Sequence, residues 1–262
     1  MVRYSGWMQW FENEAFWQTF YSYMFGERKL AAAPGEVERV LALSGVTSGH
    51  VLDLCCGPAR HSLILARKGF AVTGVDRSPF LLGKARDLTA GAGVELVEAD
   101  MRDFVRPGAF DLALSLFTSF GYFDTRAEDL AVLRNVRASL KPGGVFVIDV
   151  TSKEYVVSQS CATHWEQWPS GEIHVHHYGV FPGWGRLRIQ WLLIEGERAQ
   201  RFEFEQNLYS GQELAALLER AGFADIQLFG SLDGAPYDAA ATRLVARATA
   251  PQERVRSDSR AA

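Results

Sequence analysis

Apolar positions recur along this chain in two rhythms. Between residues 51 and 150, short apolar runs alternate with stretches in which apolar and polar positions follow a helical period. Residues 51–54, 71–75, 94–99, 110–116 and 145–150 are too short for helices and read as buried strands. The segments between them carry helix punctuation. Residues 61–68 end at Gly69. Ser78 caps a helix with Pro79 at its first position. Thr125 and Glu128 form a capping box that opens a helix running to Leu140. Lys141-Pro-Gly-Gly144 then turns the chain into the fifth strand. A second capping box, Ser210 and Glu213, opens a helix that reaches Ala221 and stops at Gly222. Residues 225–229 and 243–248 supply two last strands. Strands alternating with helices predict an α/β fold with a doubly wound, mostly parallel, seven-stranded sheet.

Two segments depart from that rhythm. Residues 160–209 hold three extended runs (172–181, 187–195 and 198–208) separated by Pro/Gly or Gly-Glu turns, the pattern of a small antiparallel meander inserted late in the chain. Residues 1–30 are crowded with aromatics, from Trp7 and Trp10 to Phe25. Phe16, Phe20 and Tyr23 fall at helical spacing, and so do Trp10, Trp17, Tyr21 and Met24, which predicts a helix buried on two faces. A further helix is expected over residues 36–43. The division that follows is an N-terminal helical segment (1–45), an α/β domain (46–155 and 210–250), a β insertion (156–209) and a disordered tail (251–262).

Composition narrows the choices. At 262 residues, 48% apolar and 22% charged, the chain can bury a large core. The formal net charge is −4 with acids and bases interleaved, so the basic stripe of a general nucleic-acid binder is missing. Cys55, Cys56 and Cys161 include no Cys-x-x-Cys pair, which argues against a disulfide framework or structural zinc and fits a reducing cytoplasm. No apolar run approaches the roughly 18 residues of a membrane span.

The most informative text is Val51-Leu-Asp-Leu-Cys-Cys-Gly-Pro-Ala-Arg-His61, a strand that runs through a tight turn into a helix. Ligands of doubly wound sheets sit at such carboxyl ends, close to helix N-termini. Asp76 ends the next strand, 19 residues after Gly57, where a carboxylate can accept hydrogen bonds from both ribose hydroxyls of a nucleoside cofactor. A dinucleotide would want a Gly-x-Gly-x-x-Gly cradle for its pyrophosphate. Only Gly57 is present and Pro58 removes an amide, so the loop favours S-adenosylmethionine (SAM), which carries no phosphate, over NAD.

With these residues the chain resembles the class I SAM-dependent methyltransferases, in particular a small-molecule branch with a late β insertion. The matching text also includes Val72-Thr-Gly-Val-Asp-Arg-Ser78, Glu98-Ala-Asp-Met-Arg-Asp-Phe104, Phe110-Asp-Leu112, Leu140-Lys-Pro-Gly-Gly144, Leu208-Tyr-Ser210, Ala221-Gly-Phe223 and Asp233-Gly-Ala-Pro-Tyr237. The resemblance implies a Rossmann-like fold, SAM as cofactor, and roles for matching residues. Cys55, Cys56 and Gly57 would face the methionine part. Asp76 would hold the ribose and Arg77 would lie against the adenine. Asp100 and Met101 would meet the adenine edge, and Leu116 and Phe117 would floor the reacting methyl. The N-terminal segment would be a lid, with Arg28 reaching the methionine carboxylate; plain core and a homodimer contact are the other readings of its aromatics. Where the family often has Gly-x-Gly-x-Gly, this chain has Cys55, Gly57 and Ala59, which preserves close approach if neither Cys55 nor Ala59 needs a positive φ.

The acceptor side is less legible. Trp17, Tyr21, Phe120, Tyr122 and Tyr237 are expected to line a pocket for a small molecule, with an N or O nucleophile as the methylated atom. Loop 118–123, the insertion and the N-terminal aromatics would form it jointly, unless the insertion is a dimer surface. Tyr122, His174 and His176 are the candidates for a base. His174 and His176 share a strand face, but no third ligand stands at metal spacing in the sequence, so no metal is expected and activity should survive chelation. The Asn/Asp/Ser-Pro-Pro-Tyr/Phe motif of amino-methylating DNA enzymes is replaced by Thr118-Ser-Phe-Gly121. A non-catalytic SAM-binding protein and an NAD-dependent oxidoreductase are the alternatives.

Overall fold

A computed structural model describes residues 9–159, 163–168 and 170–252. Trp7, Cys161 and most of the expected disordered tail lie outside the described residues. In chain order the elements begin with α1 (Glu14–Phe25), α2 (Glu27–Ser44), β1 (His50–Leu54), α3 (Arg60–Arg67), β2 (Ala71–Asp76), α4 (Pro79–Leu88), β3 (Glu95–Glu98) and β4 (Phe110–Ser115). They continue with α5 (Arg126–Ser139), β5 (Leu140–Val150), α6 (Lys153–Ser158), β6 (Thr163–Gln167), β7 (Ile173–Val180), β8 (Arg186–Glu195), β9 (Arg198–Asn207), α7 (Gly211–Ala221), β10 (Ala224–Phe229) and β11 (Leu244–Thr249).

Seven strands form one sheet in the order β10-β11-β5-β4-β1-β2-β3. Neighbours from β5 through β3 run parallel, and β11 alone opposes both of its neighbours. The central strands are buried on both faces, as their continuous apolar runs require. One face packs on α5 and α7 through Phe110, Leu133, Phe146 and Leu218, and the other on α2 and α3 through Val37, Val40 and Leu65. The predicted caps are in place. The Ser78 hydroxyl accepts from Leu81 N at 3.2 Å, and both capping boxes close.

The insertion is a separate antiparallel sheet in the order β6-β7-β8-β9. It packs against α1: Phe16 and Phe20 are fully buried among Leu187, Ile189, Leu193, Phe202 and Phe204. Thus the helical aromatic stripe and the meander, far apart in sequence, bury each other. The return to the main sheet is tied down by Asn207 Nδ2 and Tyr209 Oη, which donate to Asp129 Oδ2 at 2.8 and 2.5 Å.

Three elements differ from the sequence reading. α2 begins at Glu27, nine residues before the expected start, and carries Pro34 inside it. Proline lacks an N–H and is read as a breaker, but the helix survives it because Ala33, Glu36, Val37 and Val40 are buried on the body of the protein. The α1–α2 junction turns at Gly26, where a Cβ would clash with Ser22 O. Helix α6 and strand β6 were not foreseen. β6 buries no residue, so its sequence carries no apolar alternation to betray it.

Candidate functional site

A cavity of about 740 Å³ opens at the carboxyl ends of β1, β2, β3 and β4, within the roughly 300–1,000 Å³ typical of small-molecule sites. The strand ends supply one wall, including Cys55, Asp76, Asp100 and Leu116. The 3-10 turn at Trp10–Glu12, helix α1 and the start of α2 supply the opposite wall, and Trp168 with Glu166 closes one side.

The turn after β1 is built from left-handed residues. Gly57 has φ 55°, and two non-glycine residues of the turn are also left-handed, Cys55 at 61° and Ala59 at 62°. The proviso that neither Cys55 nor Ala59 needs a positive φ therefore fails. The loop keeps its glycine-like course at a cost of about 1–2 kcal/mol for each side chain. The course is held by Cys56 N donating to Val75 O at 2.9 Å and Gly57 N donating to Asp76 Oδ2 at 2.8 Å. Asp76 Oδ1 accepts from Ser78 N at 3.0 Å. Burial pushes the Asp76 carboxyl up to about 6, against the pull of these amide hydrogen bonds. Burial also raises both thiols, Cys55 and Cys56, well above their ordinary range. Both stay protonated near neutral pH and are poor nucleophiles.

At the next strand end, Asp100 accepts from Arg102 at 2.8 Å and pairs with Arg77, which also reaches Glu12 at 2.5 Å. Burial opposes ionisation of Asp100, but these arginines outweigh it and the carboxyl is lowered. Glu36 on α2 holds the start of α3. It accepts from His61 Nε2 at 2.8 Å and pairs with Arg60, all three buried. His61 in turn stacks on Phe117 with ring centroids 5.5 Å apart, and Arg60 lies over the same ring. Phe117 and Thr118 are themselves left-handed, at φ 57° and 62°. Asp149 anchors this turn by accepting from Phe117 N at 3.1 Å, while Arg243 grips Asp149 at 2.6 and 2.7 Å.

Cys55, Cys56, Gly57, Asp76, Arg77, Asp100, Met101, Leu116, Phe117 and Arg28 all border this one cavity, as do Trp17 and Tyr122. Three expected pocket residues do not. Phe120 is 1% exposed and packs on Tyr209, because the left-handed turn before it directs the side chain into the core. Tyr21 faces Phe80 and Lys84 on the far side of α1. Tyr237 donates to Glu154 Oε2 at 2.8 Å and fills space above Gly211. His174 and His176 also lie outside the cavity lining; His174 is sealed beneath Phe20, Tyr23, Trp168 and Trp191, which removes it as a base for the acceptor. Conversely, Arg60, His61, Arg243, Tyr23 and Trp168 line the cavity without having been singled out. Arg60 and His61 were legible as the end of the first motif. Arg243 and Trp168 reach the site only through tertiary packing.

Residues 51–144 match the family model described as a methyltransferase domain. The putative methyltransferase YqeM of Bacillus subtilis (strain 168) is 28% identical over 191 residues, which span 67% of this chain and 73% of that protein. A SAM-dependent methyltransferase structure from Clostridium acetobutylicum ATCC 824 superposes with a TM-score of 0.72 at 18% identity, covering 91% of this chain and 98% of that one. SAM-bound CalS10, an amino pentose methyltransferase from Micromonospora echinaspora, gives a TM-score of 0.65 at 21% identity over 95% and 99% of the two chains. Residues 51–144 therefore carry a methyltransferase domain, and the fold as a whole is shared with solved methyltransferases.

The donor set around the turn suits SAM, the ligand bound in CalS10. A buried carboxylate ends β2, and the turn pairs a left-handed glycine with an imide nitrogen at Pro58 where a pyrophosphate would need an amide. No helix among the described residues is long and apolar enough to cross a membrane.

Proposed function

We propose that the cavity holds SAM along the strand ends and an amine-bearing small molecule against the aromatic wall. The observation that carries this reading is the continuity of a single cavity from Cys55, Asp76 and Asp100 to Trp10, Trp17, Tyr122, Trp168 and Glu166. Asp76 accepts the ribose hydroxyls. Arg77 and Met101 flank the adenine, with Asp100 at its edge. Arg28, Arg60 and the amides of the 55–57 turn face the methionine carboxylate. When bound, SAM supplies a methyl group already activated by its sulfonium charge.

The protein's own contribution is alignment and exclusion of water. Leu116 and Phe117 floor the reacting centre, and the 3-10 turn with α1 covers it. Aromatic faces attract the charged form of an amine, which becomes nucleophilic once its proton is lost to solvent. This attraction favours nitrogen over a neutral hydroxyl as nucleophile. CalS10, which shares the fold, acts on an amino pentose, in keeping with that choice. Burial raises the Tyr122 phenol, so it serves as a neutral wall and donor rather than a base. The acceptor therefore reacts as the free amine, after its ammonium proton is shed to solvent rather than to a side-chain base. Free thiols at Cys55 and Cys56 suit a reducing, cytoplasmic setting.

The test is methyl transfer from deuterated SAM to matched pairs of small amines and their hydroxy analogues, read by mass spectrometry. Labelled amines are expected. Labelling of the hydroxy compounds alone would contradict the choice of nucleophile.

A further inference from the structure

The β6–β7 ladder places four polar side chains on one face. His164 stands opposite His176, and Glu166 opposite His174; alternate residues of a strand point the same way, so all four project together. One ligand atom each from Glu166, His174 and His176 lies within 4.8 Å of the other two. His164 flanks them, its ring centroid 5.3 Å from that of His176.

His174 is the anomaly in this group. It has no exposed surface, and neither ring nitrogen has a hydrogen-bond partner. Its Nδ1 stands 3.5 Å from Glu166 Oε1, beyond the reach of a good hydrogen bond. Buried polar groups are nearly always satisfied, and each exception calls for an unseen partner or a functional reason. Rings of Phe20, Tyr23, Trp168 and Trp191 surround it, and Glu166 is the carboxylate beside it.

We propose that Glu166, His174 and His176 form a binding site for one divalent transition-metal ion of the zinc class. Two imidazoles and a carboxylate are a donor set for zinc rather than for the oxygen-preferring magnesium or calcium. Tetrahedral zinc, with bonds of about 2.0–2.1 Å, holds its ligand atoms roughly 3.4 Å apart. The three side chains reach that spacing by small rotations, because Glu166 is exposed and His176 half-buried. The third ligand escaped the sequence reading because it comes from the neighbouring strand and not from the histidine run itself.

The ion has a structural task to perform. β6 is the outer strand of its sheet and buries none of its residues. A metal shared between β6 and β7 cross-links that edge. It also fixes Glu166, which borders the cavity together with Trp168 and Ser170. The site thus sets the position of the cavity's side wall without entering the methyl transfer, whose activation resides in the sulfonium.

Chelator-treated full-length protein, titrated with zinc chloride by calorimetry and checked by elemental analysis, tests this without any acceptor. One equivalent should bind with sub-micromolar affinity, and zinc, unlike magnesium, should raise Tm by on the order of 5 °C. His176→Ala and Glu166→Gln should each weaken zinc binding by at least about tenfold, while His177→Ala, on the opposite face, should not. Binding of S-adenosylhomocysteine should be the same in all variants, so failure here is distinct from failure of the cofactor assignment. Zinc uptake below half an equivalent at micromolar concentrations, or equal affinity in His176→Ala and the parent, would overturn the proposal.

Discussion

The two walls of the cavity are made by different physics. The wall at the strand ends rests on the central parallel sheet, and its side chains are locked by short-range hydrogen bonds: Gly57 to Asp76, Ser78 to Asp76, Arg102 to Asp100. The facing wall is aromatic packing between α1 and the inserted sheet, with Trp10 stacked on Phe204 at 4.5 Å and Tyr23 stacked on Trp168 at 5.5 Å. Hydrogen bonds in fixed geometry suit a constant ligand. Aromatic faces impose little direction and can be re-cut by substitution. The contrast accords with the proposal that the cofactor lies on the first wall and the acceptor on the second. It also predicts that damage to either wall will have a different signature.

The largest effect should come from the strained turn. Ala59 is fully buried at φ 62°, so Ala59→Val adds a β-branched side chain to a left-handed position and overfills the core. A loss of about 3 kcal/mol or more in unfolding free energy is expected, with SAM binding abolished. Denaturant unfolding checks this, and a near-neutral result would mean that the turn is not strained.

Next in size is Asp76→Ala, which should weaken S-adenosylhomocysteine binding by about 1–3 kcal/mol, the usual value of hydrogen bonds to a charged acceptor. Unchanged affinity in calorimetry would remove Asp76 from the cofactor site.

The raised Asp76 carboxyl gives a pH signature. Its folded value of about 6 lies above the ordinary 3.8, so between those values the folded state binds more protons than the unfolded chain. The contribution of Asp76 to stability is therefore largest at low pH and falls as pH rises from about 4 to about 6. Cofactor affinity runs the other way, because the ionised carboxylate is the better acceptor. Affinity for S-adenosylhomocysteine should decline as pH drops through 6 in the parent and stay flat through that range in Asp76→Asn. A parallel decline in both proteins would place the titration elsewhere.

The smallest effect belongs to the second wall. Tyr122→Phe removes one hydroxyl from the aromatic side and should raise acceptor KM by several-fold, about 1 kcal/mol. S-adenosylhomocysteine affinity should stay within experimental error. A change in cofactor affinity of the same size would erase the distinction between the walls.

The same contrast explains what could be read in the sequence. The parallel sheet, its capping boxes and the Val51–His61 motif are local patterns, and Asp76 and Asp100 follow from where their strands end. These features appear in the structure close to their expected bounds. The second wall depends on contacts between segments more than 140 residues apart in number, such as Phe16 with Phe202 and Phe204. Loop aromatics such as Phe120 and Tyr237 therefore had no local signal to say which way they face. Cys55 and Ala59 show a different limit: both are L residues that ordinarily avoid positive φ, and only the surrounding hydrogen bonds hold them there. Pro34 is the converse, a local stop signal overridden by burial.

Calorimetry with S-adenosylhomocysteine and NAD on the same preparation tests the central claim most directly. The account predicts micromolar-range binding of S-adenosylhomocysteine and no measurable heat with NAD, since the turn at Gly57 and Pro58 offers no pyrophosphate cradle. Binding of NAD in preference to S-adenosylhomocysteine would contradict it.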